Sequence, residues 1–185
     1  MKESSFEELF KEELEDIYDA EKQIIQALPK MAEAASSEEL AAAFNEHLEV
    51  TRQQVKRLDK VFQKLGSKPG KKTCEGMQGL LKEGEKMISE MEKSPVLDAG
   101  LIAAAQKVEH YEISSYGTAR TMAEMLGQEE AAELLEETLE EEKETDENLT
   151  EIAESIMSSE ATGEDDDEED EEEEMEEEEE EETEK

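Results

Sequence analysis

Apolar residues recur along this chain every three or four positions, and runs that alternate apolar with polar are rare. That period belongs to helices packed by one face. Phe6, Phe10, Leu14, Ile17, Ile24, Leu28 and Met31 form a first stripe, and Leu40, Phe44, Thr51, Leu58, Val61 and Leu65 a second. Capping boxes open both: Ser4 or Ser5 followed three residues later by Glu7 or Glu8, then Ser36 followed by Glu39. Pro29 falls inside the first pattern and predicts a kink there. Gly66 stops the second helix. A basic loop over 66–73 follows, then a shorter helix over about 74–93 with Leu80, Leu81, Met87, Ile88 and Met91. Pro95 separates it from a long helix over about 96–126, with Ile102, Ala105, Tyr116 and Ala123 inward. Gly127 marks a turn, and a last helix over about 128–157 carries Leu135, Leu139, Leu149, Ala153 and Ile156.

Short connections inside each pair of long helices imply two helical hairpins. The 66–95 segment is long enough to cross from one hairpin to the other. The expected fold class is all-α: a ferritin-like four-helix bundle with a short extra crossover helix, rather than a simple up-down-up-down bundle. No repeat of fixed period supports a helical solenoid.

Charge divides the chain. From Glu160 to Lys185 there are 20 acids and one Lys, which is half of the net charge of −38. This run has almost no apolar residues to offset ordering entropy and is expected to be disordered. The expected organisation is a domain over 1–157 and an acidic tail over 158–185. So negative a chain disfavours nucleic acid and anionic membranes, and favours cations or a basic protein partner at the tail. Cys74 is the only cysteine, so no internal disulfide forms, which fits a reducing cytoplasm. The N-terminus lacks the apolar run of a signal peptide, and no segment approaches the roughly 20 apolar residues of a membrane span.

The stripes also carry acids. A helix turns about 100° per residue, so the centre of each stripe is found by counting. Glu109 and Glu112 straddle one centre. Glu142 lies on another, with Asp146 slightly off it and four residues away, close enough to address the same ion. Glu21 lies near the Ile17–Ile24 axis. His47 and Gln54 are in phase with Leu40, Thr51 and Leu58, while Glu49 and His110 point away. Inward acids are costly unless something compensates for them. Hard oxygen donors with one imidazole suit iron or manganese, with zinc as a substitute. Taken singly, each residue has a blander reading. A chain with 41% charged residues puts some acids on any stripe by chance, and a lone inward histidine is commonly a satisfied core residue. Gln54 suits a structural hydrogen bond better than ligation, Tyr116 a core position, and Cys74 an idle thiol. The expectation of a metal site rests on convergence from four helices. Nucleotide-binding loops, HExxH and paired-cysteine motifs are absent.

Several blocks resemble the bacterial YciF/YciE family over about residues 6–157: Asp16-Ile-Tyr-Asp-Ala-Glu-Lys-Gln23, His47-Leu-Glu49, Gln106-Lys-Val-Glu-His-Tyr-Glu-Ile113, Ser115-Tyr-Gly117, Thr138-Leu-Glu-Glu-Glu-Lys143 and Thr145-Asp146. The resemblance implies a ferritin-like dimer associated with stress responses and a di-iron-type site. It carries metal roles onto Glu21, Glu109, Glu112, Glu142 and Asp146, with His47 and Gln54 nearby. Relatives usually have Glu-Glu-Thr where this chain has Glu49-Val50-Thr51, and the ferritin Glu-x-x-His pair is missing. The second helix then offers only His47 or Gln54. The acidic tail lies outside the family pattern.

The expectation is a cytoplasmic, homodimeric stress-response protein with a dinuclear iron or manganese carboxylate site, or a single ion if the second-helix position is lost. Its chemistry would be oxidation of Fe(II) or handling of peroxide, and no catalytic residue is assigned. The alternative is a non-enzymatic dimeric structural or stress protein with a degenerate site.

Overall fold

The computed structural model describes residues 5–161, with side chains to residue 158. Five helices and no strands occur among the described residues: α1 Phe6–Ala34, α2 Glu38–Lys64, α3 Glu75–Glu90, α4 Pro95–Met125 and α5 Glu129–Ala161. Ser5 and Glu8 form the capping box of α1. Pro29 lies inside α1, which stays helical on both sides of it. Phe6, placed in the first stripe, is exposed and lines a surface pocket beside Met122 and Met125 of α4. Gly66 and Gly127 follow the ends of α2 and α4 in the left-handed region, with φ of 63° and 67°, where a Cβ is strained.

The second cap differs from the capping box expected at Ser36. Ser37 caps α2, its hydroxyl accepting the Leu40 N–H. Ser36 is occupied by Asp98, a buried residue in the first turn of α4. The Asp98 carboxylate accepts from Ser36 N–H at 2.7 Å, Ser36 Oγ–H at 2.6 Å and Ser37 N–H at 2.8 Å. One acid thus ties the α1–α2 turn to the start of α4. Removing it takes away three charge-assisted bonds whose donors on Ser36 and Ser37 lie near the surface, so Asp98→Ala is expected to cost about 1–2 kcal/mol in denaturant unfolding, and Asp98→Asn less.

Those bonds also set topology. The end of α1 meets the start of α4, so the two helices run antiparallel. Lys64 at the end of α2 pairs with Glu130 at the start of α5, so these are antiparallel too. The four long helices form a ring in the order α1, α2, α5, α4, each packed on its neighbours. The segment between α2 and α4 therefore travels the length of the bundle. It carries α3, which packs against α4 and α1. This is the expected ferritin-like bundle with its crossover helix.

The apolar core has two parts. One gathers Ile24, Leu28, Phe44, Leu101 and Leu149, the other Phe10, Leu14, Leu58, Phe62 and Leu135. Along α1, α2, α4 and α5 the buried residues between them are polar: Glu21, His47, Gln54, Glu109, Glu112 and Glu142. α5 continues past residue 157 to Ala161. The expected disordered tail lies, from residue 162 on, outside the described residues. No described helix is long and apolar enough to cross a membrane.

Candidate metal centre

Each long helix delivers a polar side chain from the middle of its apolar stripe. Glu21 comes from α1, His47 and Gln54 from α2, Glu109 and Glu112 from α4, and Glu142 from α5. Glu21 and Glu142 are 0% exposed, Glu109 and Glu112 2%, and His47 7%. One donor atom from each of His47, Glu109, Glu112 and Glu142 lies within 4.8 Å of the others. Glu21 reaches the same layer, held by a hydrogen bond from the Tyr116 hydroxyl to its Oε1.

The histidine tautomer follows from its neighbours. Thr145 donates its hydroxyl proton to the Glu141 carbonyl at 3.0 Å. Its oxygen therefore accepts from His47 Nδ1–H at 3.3 Å. Nε2 is left with a bare lone pair. Burial lowers the imidazole pKa to about 4, so no proton sits on Nε2 near neutrality. That nitrogen is 3.5 Å from Glu109 Oε1 and 3.8 Å from Glu142 Oε2. Lone pairs thus face one another across a gap.

Other buried atoms in the layer also lack a hydrogen-bond partner: Glu21 Oε2, Gln54 Oε1, Glu109 Oε2, Glu112 Oε1 and both Glu142 oxygens. Burial first, then the neighbouring carboxylates, pushes Glu21, Glu109 and Glu112 well above the usual carboxylate range. Burial raises Glu142 to about 7. Protons held on these raised carboxyls relieve part of the set when no metal is bound. A cation in the gap would turn each orphan lone pair into a ligand. Carboxylate oxygens with one imidazole nitrogen fit iron or manganese, and admit zinc.

Gln54 is held by its amide, which donates to Glu141 Oε2 at 3.1 Å, while its carbonyl oxygen is buried without a partner. Asp146 is not brought into the cluster. Its off-centre angle on α5 carries it to the α4 flank, where it accepts from Gln106 at 3.3 Å and lies 3.4 Å from His110 Nε2.

Arg57 was not among the candidates, although it follows Gln54 by one helical turn on the same stripe. Its guanidinium grips both Glu141 oxygens at 2.8 Å, Glu137 at 2.8 Å and Thr138 Oγ1 at 2.7 Å. It places a fixed positive charge beside Glu21 and Glu142 that works against their burial. The motif acids Asp16 and Asp19 have another task. Tyr111 donates to Asp16 at 2.7 Å and its hydroxyl oxygen lies 3.0 Å from Cys74 Sγ, while Cys74 N–H donates to Asp19 at 2.8 Å. These bonds seat the start of α3 on the bundle. Burial pushes the Cys74 thiol up, consistent with an idle thiol.

Comparison with known proteins places this geometry in a family. Residues 5–162 match the family described as Domain of unknown function (DUF892). Protein YciF of Escherichia coli (strain K12) is 49% identical over 134 residues, covering 72% of this chain and 81% of that protein. The crystal structure of the E. coli stress protein YciF matches with a TM-score of 0.82 at 50% identity, covering 85% of this chain and 99% of that one. YcfI from Rhodopseudomonas palustris, described as a candidate structural protein, matches with a TM-score of 0.78 at 44% identity over 80% of this chain and 95% of that one. A protein of Xanthomonas campestris, 22% identical with a TM-score of 0.67 over 84% of this chain and 95% of that one, shares the fold. The chain belongs to the family described as a domain of unknown function (DUF892), with YciF of E. coli among its relatives.

Proposed function

We propose that this protein holds iron or manganese inside its bundle. His47, Glu109, Glu112 and Glu142 would hold one ion, and Glu21 with the Gln54 carbonyl oxygen are the donors left for a second. The observation that carries this reading is the set of buried, unpartnered lone pairs facing one another, with the His47 Nε2 lone pair among them. When bound, such an ion supplies reaction with oxygen or peroxide, oxidation of Fe(II) being the simplest form. The chain's own residues prepare the place. Thr145 holds the imidazole tautomer, Tyr116 orients Glu21, Arg57 offsets the negative charge, and the two apolar clusters bound the layer at its two ends. The description of the E. coli relative as a stress protein agrees with a role in limiting reactive iron or peroxide. A cytoplasmic homodimer belongs to this reading.

Val50 favours a second reading, a dimeric structural protein whose interior carries protonated carboxyls instead of metal. Metal analysis separates the two. Protein purified without chelators and dialysed is expected to hold about one to two equivalents of transition metal, and the Glu109→Ala/Glu142→Ala variant less than about a tenth of that. Unchanged metal content in the variant refutes the ligand assignment. Bound metal without any Fe(II) oxidation removes the catalytic part of the proposal.

A further inference from the structure

A pocket of about 230 Å³ between α2 and α5 ends on His47 and Glu109. An ion with six waters occupies about 180 Å³ at liquid density, so the pocket accommodates a hydrated cation. Its polar residues are graded by depth. Glu46, Glu144 and Asn148 are exposed at the rim, Glu141 and Thr145 are half-buried midway, and His47 and Glu109 are buried at the floor. On α5 the spacing of Glu141, Glu144 and Thr145 puts all three on one face. The rest of the lining is largely apolar, including Leu28, Phe44 and Val50. Among the described residues neither Glu46 nor Glu144 has an ion pair, unlike Glu141, which Arg57 grips. His47 is the least covered member of the buried cluster, and it stands at the pocket floor with Nε2 unpartnered.

We propose that this pocket is the entry port for a hydrated divalent cation, and that Glu46 and Glu144 draw the ion to it. The proposal rests on the metal-binding reading above. Glu46 and Glu144 concentrate cations at the rim. Oxygen donors along the α5 face then replace water stepwise, and His47 and Glu109 receive the ion. The apolar lining leaves a single hydrophilic track, and Val50 narrows it.

The test is the rate of Co(II) loading into metal-free, full-length protein, followed by stopped-flow absorbance, with stoichiometry measured at equilibrium. Glu46→Gln/Glu144→Gln is expected to slow association about five- to tenfold at low ionic strength and to approach parity in high salt. The control Glu75→Gln/Glu92→Gln removes the same charge at and just beyond the ends of α3 and is expected to change the rate less than about twofold. Val50→Phe is expected to slow association and release together by about tenfold, leaving stoichiometry unchanged. Equal rates for rim and control variants, with no slowing by Val50→Phe, overturn the port while the metal centre stands. A full-length protein that takes up no Co(II) overturns both.

Discussion

Glu142→Gln is expected to raise the melting temperature of the metal-free protein above about pH 7, and to abolish its stabilisation by metal. The residue has no exposure, and the bonds that Glu109 and Gln54 offer it do not offset its burial. Burial lifts its pKa from 4.5 to about 7. A folded-state value above the unfolded one means the group favours folding below about 4.5, and that this contribution is lost as pH rises through about 7. The shift corresponds to roughly 3 kcal/mol charged against the metal-free fold at neutral and higher pH. An amide of the same shape carries no charge to desolvate. Its expected gain is about 2 kcal/mol, or roughly 4–8 °C for a chain of this size. Thermal unfolding followed by circular dichroism, with chelator present, checks this. The two proteins should converge below about pH 4.5, where Glu142 is protonated in both states. A loss of stability in the variant above pH 7 would mean that the carboxylate already has a partner.

Manganous or ferrous ion is expected to stabilise the unsubstituted protein, and to do so progressively less as pH falls. At a free concentration a hundredfold above its dissociation constant, a ligand of the folded state adds about 2.7 kcal/mol, or roughly 5–10 °C here. The pH dependence has two arms. The raised carboxyls of Glu21, Glu109, Glu112 and Glu142 favour the metal-free fold at low pH and penalise it as pH rises through their folded values. His47 is the reverse. Its pKa falls from 6.5 to about 4, so its contribution is present above 6.5 and lost as pH falls toward 4. Metal binds the deprotonated form of every donor, so protons compete with it. The metal-induced rise in melting temperature should be largest above about pH 7 and shrink toward pH 5. Unfolding scans with and without metal across that range measure it. A rise that does not depend on pH would place the ion elsewhere, for instance on exposed acids.

The bundle was legible because its helices are uniformly patterned and capped by residues that act locally. Ser5 with Glu8, Gly66 and Gly127 decide their ends through bonds and dihedrals within a few positions. The length of the crossover segment was equally readable. The capping-box spacing favoured Ser36, with Glu39 three residues on, over Ser37, with Leu40 there, and only Asp98, far along the chain, reverses that choice. Phase on the helix selected Glu21, His47, Glu109, Glu112 and Glu142, because a residue near a stripe's centre must enter the core. Asp146 shows the limit of that argument. A modest angular offset puts its carboxylate on another helix's flank, and sequence spacing does not state how far a side chain leans. Arg57 was legible in phase but masked by its charge, which ordinarily marks a solvated face. Its burial depends on Glu141 and Glu137 of α5 arriving opposite it, a contact that only the pairing of α2 with α5 reveals.

The central claim is that acids of α4 and α5 and the imidazole of α2 share a cation. Anomalous scattering from a crystal grown with manganous salt tests it most directly. A peak about 2.0–2.4 Å from His47 Nε2 and from oxygens of Glu109, Glu112 and Glu142 is the predicted result. A map without a peak there, collected where manganese is otherwise seen on surface acids, would contradict it.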